Sequence, residues 1–251
     1  MPVFQGVGVA LVTLFDEQLS VDLDATVALA EEVVDVGVSA VLVAGTTGEA
    51  ATLDSAERVS LISAVREALP ADVPVIAGTG APSGRQAATL TRMAADAGAD
   101  AALVLTPPRT ADPRRYFDDV RTAAGEMPLL AYHFPAVSPP GITVAQLRDL
   151  PVVGLKDSTG DPNRLLELLT TYDGEVYVGS SALLTQAALL GATGAILALA
   201  NAHPEDCVAA MAGDAEAQLR LAPHHRGMSP FPGIKSQVAQ RYGCATHARV
   251  G

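Results

Sequence analysis

Two hydrophobic patterns alternate along the chain. Short runs that are apolar at consecutive positions are separated by longer stretches whose apolar residues recur three and four apart. The short runs are Gly8-Val9-Ala10-Leu11-Val12, Ala40-Val41-Leu42-Val43-Ala44, Val73-Pro74-Val75-Ile76-Ala77 and Ala101-Ala102-Leu103-Val104-Leu105. Four more follow: Pro128-Leu129-Leu130-Ala131-Tyr132, Val152-Val153-Gly154-Leu155-Lys156, Val176-Tyr177-Val178-Gly179 and Gly194-Ala195-Ile196-Leu197-Ala198. Continuous rather than alternating apolarity predicts parallel strands buried on both faces. The stretches between them predict helices. The first runs from about Asp22 to Val36 and ends at Gly37, and another follows Ser55 as N-cap with Glu57 close behind. Others start near Ser83, Pro113, Thr143, Asp161 and Ser181, and Pro204 opens the last. Evenly spaced strand–helix units over about 210 residues predict a (β/α)8 TIM barrel rather than an open doubly wound sheet. Residues 1–212 read as the barrel. Residues 213–251 read as an abbreviated C-terminal helical extension with room for two short helices.

Composition narrows the partners. Hydrophobic residues make up 49% of the 251 and charged residues 18%, which supports a buried core and excludes disorder. With no Trp and five Phe, that core is expected to be aliphatic. A net charge of −12 repels phosphate backbones and anionic lipids, so neither nucleic acid nor membrane is an expected partner. Two cysteines exclude a disulfide scaffold, and the N-terminus lacks the basic-then-apolar pattern of a signal peptide. The expected location is the cytoplasm. From Val176 to Pro204 there is no Asp, Glu, Lys or Arg, a length that matches a membrane span. Gly179-Ser180-Ser181, Gly191, Thr193-Gly194 and Asn201 divide it into strand, helix and strand instead.

A barrel carries its chemistry at the carboxyl ends of the strands. That filter selects Thr13, Gly45-Thr46-Thr47-Gly48-Glu49, Gly78-Thr79-Gly80, Thr106-Pro107-Pro108-Arg109, Tyr132-His133, Lys156-Asp157 and Gly179-Ser180-Ser181. Lysine is scarce: of 16 basic residues only Lys156 and Lys235 are Lys. Lys156 closes an apolar strand, where burial of an amine favours its neutral, nucleophilic form. The alternative is a stem lying along the wall with its head paired to Asp157. Tyr132 ends the preceding strand, within reach of that amine, and reads as a proton relay or as a rim tyrosine. The N–H groups and two hydroxyls of Gly45–Glu49 suit a carboxylate; without a following Gly-Lys-Ser/Thr the turn is not a Walker A loop. The other reading is a tight turn. Gly78-Thr79-Gly80 is a weaker signal of the same kind. No metal is expected. Among the five His only His133 lies near a strand end, no His-x-His or His-Glu-x-x-His spacing occurs, and His224, His225, Cys244 and His247 sit in a tail read as solvated.

Gly45-Thr46-Thr47-Gly48-Glu49, Tyr132-His133-Phe134-Pro135 and Gly154-Leu155-Lys156-Asp157-Ser158 occur in that order at barrel-unit spacing. Together they resemble the dihydrodipicolinate synthase/N-acetylneuraminate lyase superfamily of Schiff-base enzymes. The resemblance spans about Gly6 to Asn201 and reaches Phe231-Pro232-Gly233-Ile234-Lys235. It implies that Lys156 forms an imine with the keto carbon of pyruvate or another 2-oxo acid, and that Tyr132 shuttles protons there and to the aldehyde oxygen. It implies that Thr46 and Thr47 hold the carboxylate, with the Thr47 hydroxyl linked to Tyr132. Gly179, Ser180, Ile196, Arg109 and Ser138 then complete the substrate site. No metal or organic cofactor is implied beyond the covalent imine. The partners implied are a small 2-oxo acid and an aldehyde, within a homo-oligomer, dimer or tetramer.

The departures from the family pattern bear on the substrate. Synthase members carry an Arg where this chain has Val137, followed by Ser138; that Arg binds the carboxylate of an aspartate-semialdehyde-type partner. Pro108-Arg109 replaces the usual paired tyrosines, and Arg109 becomes a candidate for a distal acid group. Ser181 and Ala182 stand where sialic acid lyases carry acidic residues, His133 replaces Asn, and the tail is short. The expected activity is a metal-independent lyase that makes or breaks a C–C bond between pyruvate and an aldehyde. The alternatives are dihydrodipicolinate synthase activity, a keto-deoxy-sugar-acid dehydratase, or a barrel that binds a 2-oxo acid without turnover.

Overall fold

The computed structural model describes residues 1–228 and 233–250, so Phe231 and Pro232 of the tail motif lie outside the described residues. Eight parallel strands pair in chain order and close on themselves. They are β1 (Gly6–Ala10), β2 (Ala40–Val43), β3 (Val75–Gly78), β4 (Ala101–Leu105), β5 (Leu129–His133), β6 (Gly154–Asp157), β7 (Glu175–Val178) and β8 (Gly194–Leu197). Most strand bounds are offset by one or two residues from the hydrophobic runs, and two of the offsets have identifiable reasons. Pro74 has no N–H for the ladder, so β3 starts at Val75, whose N–H donates to the Asp100 carboxylate at 2.8 Å. Leu11 and Val12 leave β1 because the Val12 N–H is taken by the buried Asn201 side chain at 3.0 Å.

The helices on the outside are α1 (Leu23–Asp35), α2 (Ser55–Ala68), α3 (Gly84–Asp96), α4 (Arg114–Ala124), α5 (Val144–Leu147), α6 (Pro162–Thr171), α7 (Leu184–Leu189) and α8 (Pro204–Met211). Each starts within about a turn of its expected start. The cap of α2 is Asp54 rather than Ser55: its carboxylate accepts the Glu57 N–H, and the Glu57 carboxylate accepts the Asp54 N–H in return. A 3-10 turn at Ser181–Leu183 precedes α7. The charge-free segment divides into β7, this turn, α7 and β8 as expected, and no helix among the described residues is long and apolar enough to cross a membrane.

Two further helices follow, α9 (Ala215–Arg226) and α10 (Gly233–Tyr242). They are not a solvated tail, which corrects the expectation. Ala217, Leu221, Ile234 and Val238 are buried in the same core that lies between sheet and helices. The barrel interior forms a second, separate cluster. It is less purely aliphatic than composition implied. Phe4 and Tyr177 stack at 4.6 Å inside it, next to the start of β1, with the Tyr177 hydroxyl donating to Phe4 O at 2.9 Å. Tyr132 belongs to the same interior cluster near the opposite end.

Candidate active site

Side chains alternate along each strand, so Leu130 and Tyr132 on β5 face the interior while Ala131 faces the helices. Tyr132 pairs in register with Lys156 of β6. Both are buried, at 5% and 4% exposure, and the Lys156 ammonium lies 4.7 Å from the centre of the Tyr132 ring. Phe134 also stacks with the phenol ring, at 5.8 Å between ring centres. The amine therefore sits at the top of an apolar barrel with an aromatic face beside it.

Among the described residues Lys156 has no ion pair. Asp157, the partner that a purely structural lysine would take, points elsewhere. Its carboxylate meets Arg164 of α6 at 2.5 Å and accepts the Thr159 N–H at 2.9 Å. Strand parity explains this: Lys156 faces inward and its neighbour faces the helices. The amine is left free for a substrate.

His133, one residue past Tyr132, faces the helix side with Asp157. Its Nδ1 accepts the Ile142 N–H at 2.9 Å, and Arg164 donates to Ile142 O at 2.7 Å. Burial, reinforced by the nearby Arg164 guanidinium and opposed by Asp157, lowers the His133 pKa to about 4. The hydrogen bond from Ile142 to His133 anchors the 138–142 loop. Arg164 is a residue that sequence reading missed; nothing in its spacing tied it to the site.

The remaining candidates lie around the same end of the barrel. Ile196 is in the interior cluster. The Ser138 hydroxyl is buried and donates to Thr106 O at 2.5 Å, which joins the loop after β5 to the end of β4. Gly179 passes close to the end of β6: a Cβ there would stand 2.0 Å from the Ser158 hydroxyl and 3.0 Å from Asp157 O, so a larger residue would displace the serine. Ser180 caps the following 3-10 turn through the Ala182 N–H. Arg109 is exposed and has a left-handed backbone, φ 67°, with its N–H held by Pro139 O at 2.7 Å. Gly78 is explained by packing, since a Cβ there would stand 2.1 Å from Ala44 O.

The Gly45–Glu49 turn presents an exposed Thr46 and a half-buried Thr47. Neither hydroxyl is engaged by another described residue, so the expected Thr47–Tyr132 link is not formed here. The turn is fixed by backbone bonds, Glu49 N to Thr46 O at 3.1 Å and Ala50 N to Gly45 O at 3.1 Å. A cavity of about 860 Å3 opens beside Thr46 between the loops after β2, β3 and β4. Leu105, Ala81, Leu53 and Val137 give it a mainly apolar wall, and Lys156 is not part of that wall. Among the described residues no group of three metal-ligating side chains forms; His203 packs on His224 with the rings tilted by 32° and 3.8 Å apart, and His225 meets the Ser181 hydroxyl at 2.8 Å.

A barrel with a buried lysine on its sixth strand, without an ion pair among the described residues, a phenol in register on the fifth and a threonine turn after the second has the parts of a Schiff-base lyase. Comparison with known proteins gives the family. The chain belongs to the dihydrodipicolinate synthetase family, whose model matches residues 3–228. It is 37% identical over 246 residues to the 4-hydroxy-tetrahydrodipicolinate synthase of Pseudomonas aeruginosa, covering 89% of this chain and 84% of that one. Among solved structures, it resembles the chloride-inhibited dihydrodipicolinate synthase from Acinetobacter baumannii complexed with pyruvate. That match has a TM-score of 0.90 at 30% identity and covers 98% of this chain and 92% of the other. It also resembles YagE, a prophage protein of E. coli complexed with pyruvate, with a TM-score of 0.89 at 26% identity over 98% of this chain and 91% of that one.

Proposed function

We propose that the protein makes or breaks the bond between pyruvate C3 and the carbonyl carbon of an aldehyde, through an imine on Lys156. One observation carries this reading: a buried lysine without a counter-ion among the described residues, in register with a tyrosine, at the end of the barrel where strands finish. Neutral Lys156 attacks pyruvate C2, and loss of water leaves a protonated imine. That cation is the electron sink, so a proton leaves C3 and an enamine forms; its C3 attacks the aldehyde carbon. The aldehyde oxygen takes a proton, and water then releases the product and restores the amine. The Tyr132 phenol donates and accepts these protons. Thr46 and Thr47 hold the pyruvate carboxylate, with Thr47 reaching Tyr132 only when substrate is bound. Gly179, Ser180, Ile196 and Ser138 shape the remainder of the site. The imine supplies the electron sink, so no further cofactor enters.

The acceptor we favour has no carboxylate directed at position 137. Val137 is 48% exposed and lines an apolar wall with Leu105; Arg85 lines the same cavity, and Arg109, exposed on the loop after β4, is a second cation for a distal acid group. The second reading, condensation with aspartate semialdehyde, is favoured by the names of relatives such as that of P. aeruginosa. In either case the protein works in the cytoplasm on small molecules, as a homo-oligomer, with residues 1–212 as the catalytic barrel.

The test is borohydride trapping with pyruvate, read by mass spectrometry of the intact protein and its peptides. A pyruvate-sized adduct on the Lys156 peptide, absent in Lys156→Ala, is expected. No adduct with pyruvate or longer 2-oxo acids would remove the imine mechanism. Product analysis with aspartate semialdehyde against uncharged aldehydes then separates the two acceptors.

A further inference from the structure

Glu49 closes the threonine turn with a left-handed backbone, φ 56° and ψ 38°. A non-glycine residue keeps that conformation where its surroundings hold it. Here the hold comes from the far end of the chain. Glu49 and Lys235 of α10 form an ion pair at 2.5 Å in which neither side chain has any exposed surface. The other carboxylate oxygen accepts the N–H groups of Arg249 and Val250, at 2.7 and 2.9 Å. Lys235 donates to His247 O at 2.7 Å and lies 4.3 Å from the Phe15 ring centre. The Arg249 guanidinium covers the same ring, pairs with Glu57 at 2.5 Å and donates to Leu19 O and Thr52 O. Residues 247–250 thus lie as a strap against the turn.

Stability is a weak reason to keep such a pair. Desolvating two charges offsets most of their attraction, and apolar replacements of equal volume are often neutral or better. A buried ion pair with directed N–H donors does fix one geometry. The backbone of Glu49 is bonded to Thr46 itself, so a shift of its carboxylate moves the threonines.

We propose that Glu49, Lys235 and the 247–250 strap are a positioning device that sets the carboxylate-binding turn for pyruvate. The proposal rests on the Schiff-base reading and adds a determinant that acts on pyruvate through the backbone of the turn; Glu49 and Val250 also line the cavity beside Thr46. Lys235 is the other lysine that a chain rich in arginine retains.

The test is borohydride trapping across a pyruvate series with two full-length variants. Lys235→Met combined with Glu49→Gln removes both charges at similar volume. Val250→Pro removes one N–H donor and no charge. With the turn unfixed, the double variant requires about tenfold more pyruvate for half-maximal trapping, the equivalent of one charge-assisted hydrogen bond. Trapping at saturating pyruvate stays near the unmodified protein's, because Lys156 is untouched. Val250→Pro shifts half-saturation in the same direction by a smaller factor. A role in stability alone predicts a lower melting temperature with half-saturation unchanged, and that result in the double variant overturns the proposal. If the double variant does not fold, Val250→Pro decides by the same readout. Absence of any adduct in the unmodified protein is a separate result, which sinks the Schiff-base reading itself.

Discussion

At the scale of single residues, the site separates the packing role of Tyr132 from its chemical role. Its ring packs against Phe134 and the Lys156 ammonium, while its hydroxyl has no partner among the described residues. Tyr132→Phe therefore keeps the packing and deletes only the proton carrier. Turnover is expected to fall about 100-fold or more, in the range of a lost general acid–base group. Borohydride trapping at long incubation still reaches completion, since the nucleophile is intact. Equal losses in melting temperature and turnover would instead assign the tyrosine to packing. The juxtaposition of Lys156 and Tyr132 was legible in the sequence because a charged and a phenolic residue end apolar runs, and strand parity then turns both inward. The partner of Asp157 was not legible. Arg164 looks like any exposed helical arginine until β6 and α6 are packed together.

At the scale of elements, the loop from Ser138 to Ile142 joins the ends of β4, β5 and α6 through His133, Thr106 and Arg164. Its anchor at His133 titrates. The His133 pKa is about 4 in the fold, against an ordinary value of 6.5, and the neutral ring is the form that accepts the Ile142 N–H. Protons then bind the unfolded chain more readily than the folded one between these two values. Stability from this group is full above about pH 6.5 and is lost as pH falls through about 4. His133→Asn keeps an acceptor at the same reach and cannot be protonated. In urea melts at pH 7 the variant should match the parent within about 1 kcal/mol. At pH 4.5 it should be the more stable of the two. An identical pH dependence in both proteins would show that the loop is not anchored by this ring.

At the scale of the whole molecule, the alternation of apolar runs and amphipathic stretches carried the barrel, because parallel strands buried on both faces have few other sequence solutions. The burial of the tail was hidden for the converse reason. Its helices α9 and α10 are short and polar on average, and their burial depends on tertiary contacts that no local pattern encodes. Lys235 is the clearest case, a charge with no exposed surface. The same closed architecture makes pyruvate binding visible globally. A ligand that binds the folded state alone stabilises it by about 2.7 kcal/mol at a hundredfold excess over its dissociation constant. For a chain of this size each kcal/mol raises the melting temperature by about 2–4 °C. Saturating pyruvate should therefore raise it by about 5–10 °C, and the imine couples that gain to Lys156. Lys156→Ala should melt near the parent without ligand, since it removes an unpaired buried amine, and should lose most of the pyruvate-dependent shift. A full shift in the variant would mean that pyruvate is held by the threonine turn without the covalent step, and the protein would then be a binder rather than a lyase.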